Sequence, residues 1–157
     1  MVRLADFSIP EVFNQAEFLT DRHVKEGRGK NTAIYYKDQK ITYEEMASMV
    51  NRCGNALRAK GVEMENRVLI LLPDSPEFIY AYLGAMKIGA IPIPVNTMAS
   101  PKDYAFFLAD SRAKALIISD LLYKKIENVL EGKRHLKHVI VAGEKMPGTL
   151  SFGDLMA

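Results

Sequence analysis

The 157-residue chain contains no tryptophan and a single cysteine, Cys53. One thiol excludes an intrachain disulfide and a cysteine metal cluster, and it leans toward a reducing compartment. No apolar run approaches the ~18 residues that a membrane span needs. Charges at Arg3, Asp6, Glu11 and Glu17 interrupt the start of the chain, which is unlike a signal peptide. No Gly-x-Gly-x-x-Gly follows a strand-like run, and no Gly-x-x-x-x-Gly-Lys-Ser/Thr loop occurs, so both glycine-rich phosphate fingerprints are missing. A charge excess is missing too: 21 Lys+Arg against 19 Asp+Glu leave +2. That balance supports no nucleic-acid role and suggests no basic face. These absences point to a cytoplasmic protein without a membrane span.

What is present suits a packed core. Hydrophobic residues make up 48% and charged residues 25%, a globular balance that excludes general disorder. The length suits one domain, or a subdomain of something larger.

Residues 11–25 read as a helix with Val12, Ala16, Leu19 and His23 on one face. Glu26-Gly27-Arg28-Gly29-Lys30 reads as a polar loop. Thr32–Tyr36 and Lys40–Tyr43 form a plausible hairpin around Lys37-Asp38-Gln39. Thr42-Tyr43-Glu44-Glu45 has the capping-box form, in which the threonine oxygen accepts a free backbone N–H and the glutamate reaches back. Met46, Met49, Val50, Cys53, Ala56 and Leu57 then recur at helical period, and Gly61 suits the helix stop.

Val68–Leu72 is a continuous apolar run, the pattern of a strand covered on both faces. Ser75-Pro76 opens the next helix, which is expected to turn Phe78, Ile79, Tyr82, Leu83 and Met86 inward and to end at Gly89. Ile91–Val95 is strand-like, but Pro92 and Pro94 argue for an edge or an irregular piece. Ser100-Pro101-Lys102-Asp103 repeats the capping device before Tyr104, Phe107 and Leu108. Ala115–Ser119 is another buried strand. Asp120 is expected to cap a helix bearing Leu122, Ile126, Val129 and Leu130, and Val139–Ala142 forms the last strand. After Gly143 the pattern fades. The alternation predicts an α/β fold, a parallel sheet with flanking helices.

Open parallel sheets bind ligands beyond the carboxyl ends of their strands. Asp74, Ser75, Asn96, Thr97 and Asp120 fall there. Helix capping accounts for Ser75 and Asp120; Asn96 and Thr97 are as consistent with a ligand contact as with a turn. Lys87 sits in the last turn of its helix, where a cation suits the dipole, or where it could meet phosphates or a partner carboxylate. The Gly27–Lys30 stretch follows a helix and precedes a hairpin, the context of a solvated loop. His135 and His138 lack partners for a metal, and Cys53 on an apolar face reads as an inert core residue.

Two stretches go further. Lys40-Ile41-Thr42-Tyr43-Glu44-Glu45-Met46 resembles an early element of the adenylate-forming enzymes. Leu83-Gly84-Ala85-Met86-Lys87-Ile88-Gly89-Ala90-Ile91-Pro92-Ile93-Pro94-Val95-Asn96 resembles their next core motif, a helix end followed by a proline-bearing strand. Gly61-Val62 and Val68–Pro76 lie between them in the expected order. The resemblance runs from about Phe13 to Gly143. Phe13-Asn14-Gln15-Ala16, Val95-Asn96-Thr97-Met98 and Pro101-Lys102-Asp103-Tyr104 are similar to the benzoate and aryl-CoA ligase branch.

This resemblance implies an ATP-, Mg2+- and CoA-dependent ligase acting on a carboxylic acid. It implies adenylation of the acid, then displacement of AMP by the thiol of coenzyme A. Members also carry a glycine-rich Ser/Thr loop, a Tyr-Gly-x-Thr-Glu element, a ribose-binding Asp and a lysine on a mobile C-terminal lid. None of these occurs here, and members run to roughly three times this length, a several-domain size. Residues 1–157 are therefore expected to be a partial N-terminal subdomain. It would bind no cofactor alone, would pack against the rest of the ligase chain, and would self-associate through the face left uncovered. In relatives a basic residue before the Gly-Ala step faces the lid or the CoA phosphates, and Lys87 occupies that position. Lysine there offers a point charge without the two-pronged geometry of arginine. The alternatives are a non-catalytic α/β binding or interaction module, and a nucleotide-binding domain of flavodoxin type.

Overall fold

The computed structural model describes residues 10–132 and 134–157. The chain begins with two short helices rather than one: α1 (Gln15–Leu19) and α2 (Asp21–Lys25). Asn14 caps α1, and Thr20 breaks the run by turning its hydroxyl onto the Ala16 carbonyl at 2.7 Å and Asp21 at 2.7 Å. This corrects the single amphipathic helix. Only Ala16 of its expected apolar face is buried, while Val12 is 91% exposed, because α1 and α2 lie on the surface of a core built later in the chain.

A hairpin follows, β1 (Thr32–Tyr36) paired antiparallel with β2 (Gln39–Thr42). Helix α3 (Tyr43–Ala59) starts at the expected capping box: Thr42 Oγ1 accepts from Glu45 N at 3.2 Å, and Glu45 Oε2 accepts from Thr42 N at 2.8 Å. The chain then alternates through β3 (Arg67–Leu71), α4 (Pro76–Lys87), β4 (Ile91–Pro94), α5 (Pro101–Ser111), β5 (Ala115–Ser119), α6 (Asp120–Leu130) and β6 (His138–Ala142). It closes with β7 (Leu150–Ser151) and α7 (Phe152–Met156). The five strands form one parallel sheet, ordered β4-β3-β5-β6-β7.

Period-2 side chains divide the core into two layers. Val68, Ile70, Ala115, Ile117 and Ile140 face α3, α4 and α7. Leu69, Leu71, Leu116, Ile118 and Val141 face α5 and α6. β3 and β5 are covered on both faces, which is why they read as unbroken apolar runs.

β4 is an edge strand, as its prolines require. The backbone N–H groups of Ile91 and Val95 bond to Asn66 and Ile70 carbonyls at 2.9 and 3.0 Å. Alternate residues point to alternate sides, so Pro92 and Pro94 place their donor-less nitrogens on the open edge, where they block further pairing.

Two expectations need revision. Pro76, Tyr80, Ala81, Leu83, Gly84 and Ala85 are the buried residues of α4, so Leu83 faces inward as expected, while Phe78, Ile79, Tyr82 and Met86 pack against the core only half-buried. The cause is a close crossing of α4 on α3 through small residues. A Cβ on Gly84 would stand 2.8 Å from the Cys53 Cβ and 3.1 Å from the Gly54 nitrogen. Hydrophobic periodicity cannot register a face made of glycine and alanine. The fading pattern after Gly143 conceals β7, paired with β6 through Ile140–Leu150 and Val141–Ser151, and α7, which buries Phe152 and Met156. Two strand residues carry no detectable period.

The Gly84 contact generates a test. Gly84→Ala should lose about 1–3 kcal/mol in urea unfolding through overpacking against Cys53, despite the higher helix propensity of alanine. An unchanged midpoint would show that the helices can separate without cost.

Candidate functional site

The carboxyl ends of β3 and β4 enclose a cleft of about 480 Å3 between the Leu72–Asp74 turn, Phe78 and the Pro94–Thr97 segment. Asn96 and Thr97 both lie on its wall. Asn96 Oδ1 accepts from Met98 N at 2.8 Å, and the Asn96 carbonyl accepts from the Tyr104 hydroxyl at 2.8 Å. The turn is thereby pinned to α5, and burial pushes the Tyr104 phenol up, keeping it a proton donor. The Asn96 amide nitrogen and the Thr97 hydroxyl make no hydrogen bond among the described residues. Asp74 also lines the cleft, while Ser75 caps α4 through Phe78 N at 3.4 Å.

Asp120 has a different task from the one expected. Ser119 caps α6, accepting from Leu122 N at 3.4 Å. The Asp120 carboxylate accepts from Leu121 N at 2.7 Å and from Glu144 N at 3.0 Å, which ties the ends of β5 and β6 together. The Glu144 N–H is the main influence holding this carboxyl below its usual value. Gly143, at φ +108°, is needed here, because a Cβ would stand 2.5 Å from Asp120 Oδ2.

Lys87 lies at the opposite rim. α4 runs from the carboxyl end of β3 back to the amino end of β4, so its last residue is a sheet's length from Asn96 and Thr97. The Lys87 ammonium pairs with Asp21 Oδ2 at 2.5 Å, and both side chains are largely covered, at 20% and 23% exposure. Asn14 Nδ2 donates to the Lys87 carbonyl at 3.0 Å. Together these contacts clamp α1 and α2 onto α4. Burial would raise the Asp21 carboxyl, but hydrogen bonds from Lys87 and Thr20 and the Lys87 charge outweigh it and hold the group below the ordinary range. Asn14 and Asp21 were missed as Lys87 partners because they lie 73 and 66 residues away, and no local spacing announces such a pair.

The remaining candidates have structural surroundings. Arg28 Nε bonds His23 Nδ1 at 3.1 Å and its guanidinium pairs with Glu26, while the Gly29 carbonyl accepts from Glu44 N at 3.0 Å. Cys53 is 1% exposed, and burial pushes its thiol to about 12, so it stays protonated. No group of three or more His, Cys, Asp or Glu suited to a metal occurs among the described residues. No helix among them is long and apolar enough to cross a membrane.

Helices on both faces of a parallel sheet, with a cleft beyond the carboxyl ends of β3 and β4, define an open α/β architecture. The sequence profile of the AMP-binding enzymes matches residues 21–152, and the chain belongs to that family. It is 38% identical over 136 residues to a benzoate–CoA ligase of Thauera aromatica, a match covering 86% of this chain and 26% of that protein. It is 39% identical over 142 residues to the acetyl-coenzyme A synthetase of Bacillus subtilis, covering 87% of this chain and 24% of the relative. The crystal structure of an anthranilate CoA ligase in complex with anthranoyl-AMP superimposes with a TM-score of 0.90 at 31% identity, over 99% of this chain and 29% of that one. The chain thus spans about a quarter of the length of the curated relatives it matches.

The Asp21–Lys87 pair sets a pH dependence. With the folded carboxyl below its unfolded value, about 3.9, its stabilisation is present above that pH. It is lost as pH falls through the lower folded value. Asp21→Asn should cost roughly 1–3 kcal/mol at neutral pH and flatten the decline in stability below about pH 4. Acid unfolding curves of equal slope for both proteins would remove the pair as a contributor.

Proposed function

We propose that the chain is the N-terminal portion of an ATP-dependent carboxylate–CoA ligase acting on benzoate or a related aromatic acid. The observation that supports this reading most is the near chain-long superposition on an anthranilate CoA ligase, together with the benzoate–CoA ligase relative. In the complete enzyme a carboxylate oxygen would attack the α-phosphorus of ATP and release pyrophosphate. The thiol sulfur of CoA would then attack the acyl carbon and release AMP. Charge development on the phosphates needs Mg2+ and fixed donors. In this reading these groups come from the remainder of the ligase.

This segment's contribution is the scaffold and one rim. Asn96 and Thr97 line the cleft at the carboxyl ends, where the acyl-adenylate or CoA would be approached. Lys87 reaches a CoA phosphate or the C-terminal lid only by leaving Asp21, so an anion would have to compete with an existing carboxylate. Phe78, Ile79, Tyr82 and Met86 of α4 pack against the core and keep part of their surface exposed, and that exposed part would be available to the remainder of the chain. The same surface would promote self-association when left uncovered.

Pyrophosphate release by the complete enzyme tests the reading. Benzoate or anthranilate should exceed acetate by about tenfold or more in kcat/KM, a difference of ~1.4 kcal/mol. Preference for acetate would overturn the aromatic assignment, and no release with any carboxylic acid would overturn the ligase. In that enzyme Lys87→Ala should slow thioester formation more than adenylation; equal loss in both half-reactions would confine Lys87 to its pairing with Asp21.

A further inference from the structure

A net charge of +2 conceals a local asymmetry. The amino ends of β3, β5 and β6 meet on the rim opposite the Asn96–Thr97 cleft. A concavity of about 630 Å3 lies there, lined by Arg67, Arg112, Lys114, Arg134, His135 and Lys137, with Asn66 beside them. No carboxylate lines it among the described residues. This corrects the expectation that no face is basic. The cations come from three separate stretches, so no run of charge marks them in the sequence.

None of the five Arg and Lys side chains joins an ion pair among the described residues. Their partners are neutral. Arg67 Nε donates to the Ser111 carbonyl at 2.9 Å, and a terminal guanidinium nitrogen donates to the Glu65 carbonyl at 3.1 Å. Lys114 Nζ donates to the Gly61 carbonyl at 2.5 Å and Lys137 Nζ to the Arg134 carbonyl at 3.1 Å. Carbonyl oxygens orient these cations without cancelling their charge. The backbone beneath is rigid: Lys114 N bonds the Arg67 carbonyl at 2.9 Å, and Lys137 N bonds the Lys114 carbonyl at 2.8 Å. Arg112 holds the left-handed conformation that ends α5, at φ 52°.

Gathered like charges repel, and a concave, uncompensated cluster focuses potential toward anions. The core does not need these side chains, so packing does not explain their convergence. The volume falls in the range of small-ligand sites, and the concavity opens broadly to solvent. No Phe, Tyr or Trp lines the concavity, and the lining is dominated by cations rather than by apolar rings. We propose that this amino-edge cluster is a binding site for a compact polyphosphate anion, recognised by its charged oxygens. The anion is either free in solution or displayed on a phosphorylated lipid headgroup. The site is separate from the cleft of the ligase reading and does not depend on it.

Calorimetric titration of the protein with inorganic tripolyphosphate and with pyrophosphate at low ionic strength tests this. Saturable binding of one anion per chain is expected. It should weaken at least tenfold in the double variant Arg112→Glu/Arg134→Glu, whose side chains are exposed, and stay unchanged in Lys102→Glu on another rim. Should the reversed variant misfold by circular dichroism, Arg134→Gln/Lys137→Gln should still show a severalfold loss. Phosphatidylcholine vesicles containing phosphatidylinositol 4,5-bisphosphate form the second arm. Vesicle binding that the substitutions abolish, with weak binding of the free anions, identifies the headgroup as the source. Failure of the protein to bind any of these probes, or equal binding by wild type and both variants, would overturn the proposal.

Discussion

β3 and β5 are neighbours in the middle of the sheet, buried on both faces, and the rest of the molecule takes its place from that burial. Each Val, Leu or Ile removed from water there contributes about 1.5–3 kcal/mol, and every residue from Val68 to Leu71 and from Ala115 to Ile118 is buried. Neither strand can supply an exposed polar face, so both sides must be covered by helices. The connections cross over accordingly, with α4 on one face and α5 on the other. The carboxyl ends of the five parallel strands are then delivered to one rim, where the Asn96 turn and the Asp120 bridge form.

The two rims carry different chemistry. At the carboxyl edge, polar groups are mostly committed to caps and turns, and Asn96 and Thr97 keep hydrogen-bonding capacity beside a cleft. At the amino edge, charge dominates. One cation, Lys87, is paired with Asp21 and fastens the N-terminal helices. The cluster around Arg67, Arg112 and Lys114 stands without carboxylates. Membership of the AMP-binding enzymes directs attention to the carboxyl edge. The charge distribution makes the amino edge a second surface to explain.

Much of this was legible in residue order. The capping boxes at Thr42 and Ser100, the proline-marked edge strand and the apolar runs of β3 and β5 are local signals with local causes, and they fall where they were expected. The Thr20 break, the two-residue β7 and the small-residue crossing at Gly54 and Gly84 were not. A hydroxyl turned onto a backbone carbonyl, a pairing shorter than its own period and a contact made by absent side chains leave no hydrophobic pattern. Of the site residues, Asn96 and Thr97 could be placed at a strand end from sequence. The engagement of Lys87 by Asp21 and Asn14 could not.

Residue order alone determined the class of fold, the alternation of elements from the hairpin to β6 and the family resemblance, because caps, prolines and apolar runs act within a few residues of themselves. Tertiary structure decided the strand order and the small-residue crossing of α3 and α4. It also settled that Lys87 stands away from Asn96 and Thr97, and that scattered Arg and Lys residues share one concavity. Those outcomes depend on distances between residues far apart in the chain, and only the packing of helices against a common sheet sets them.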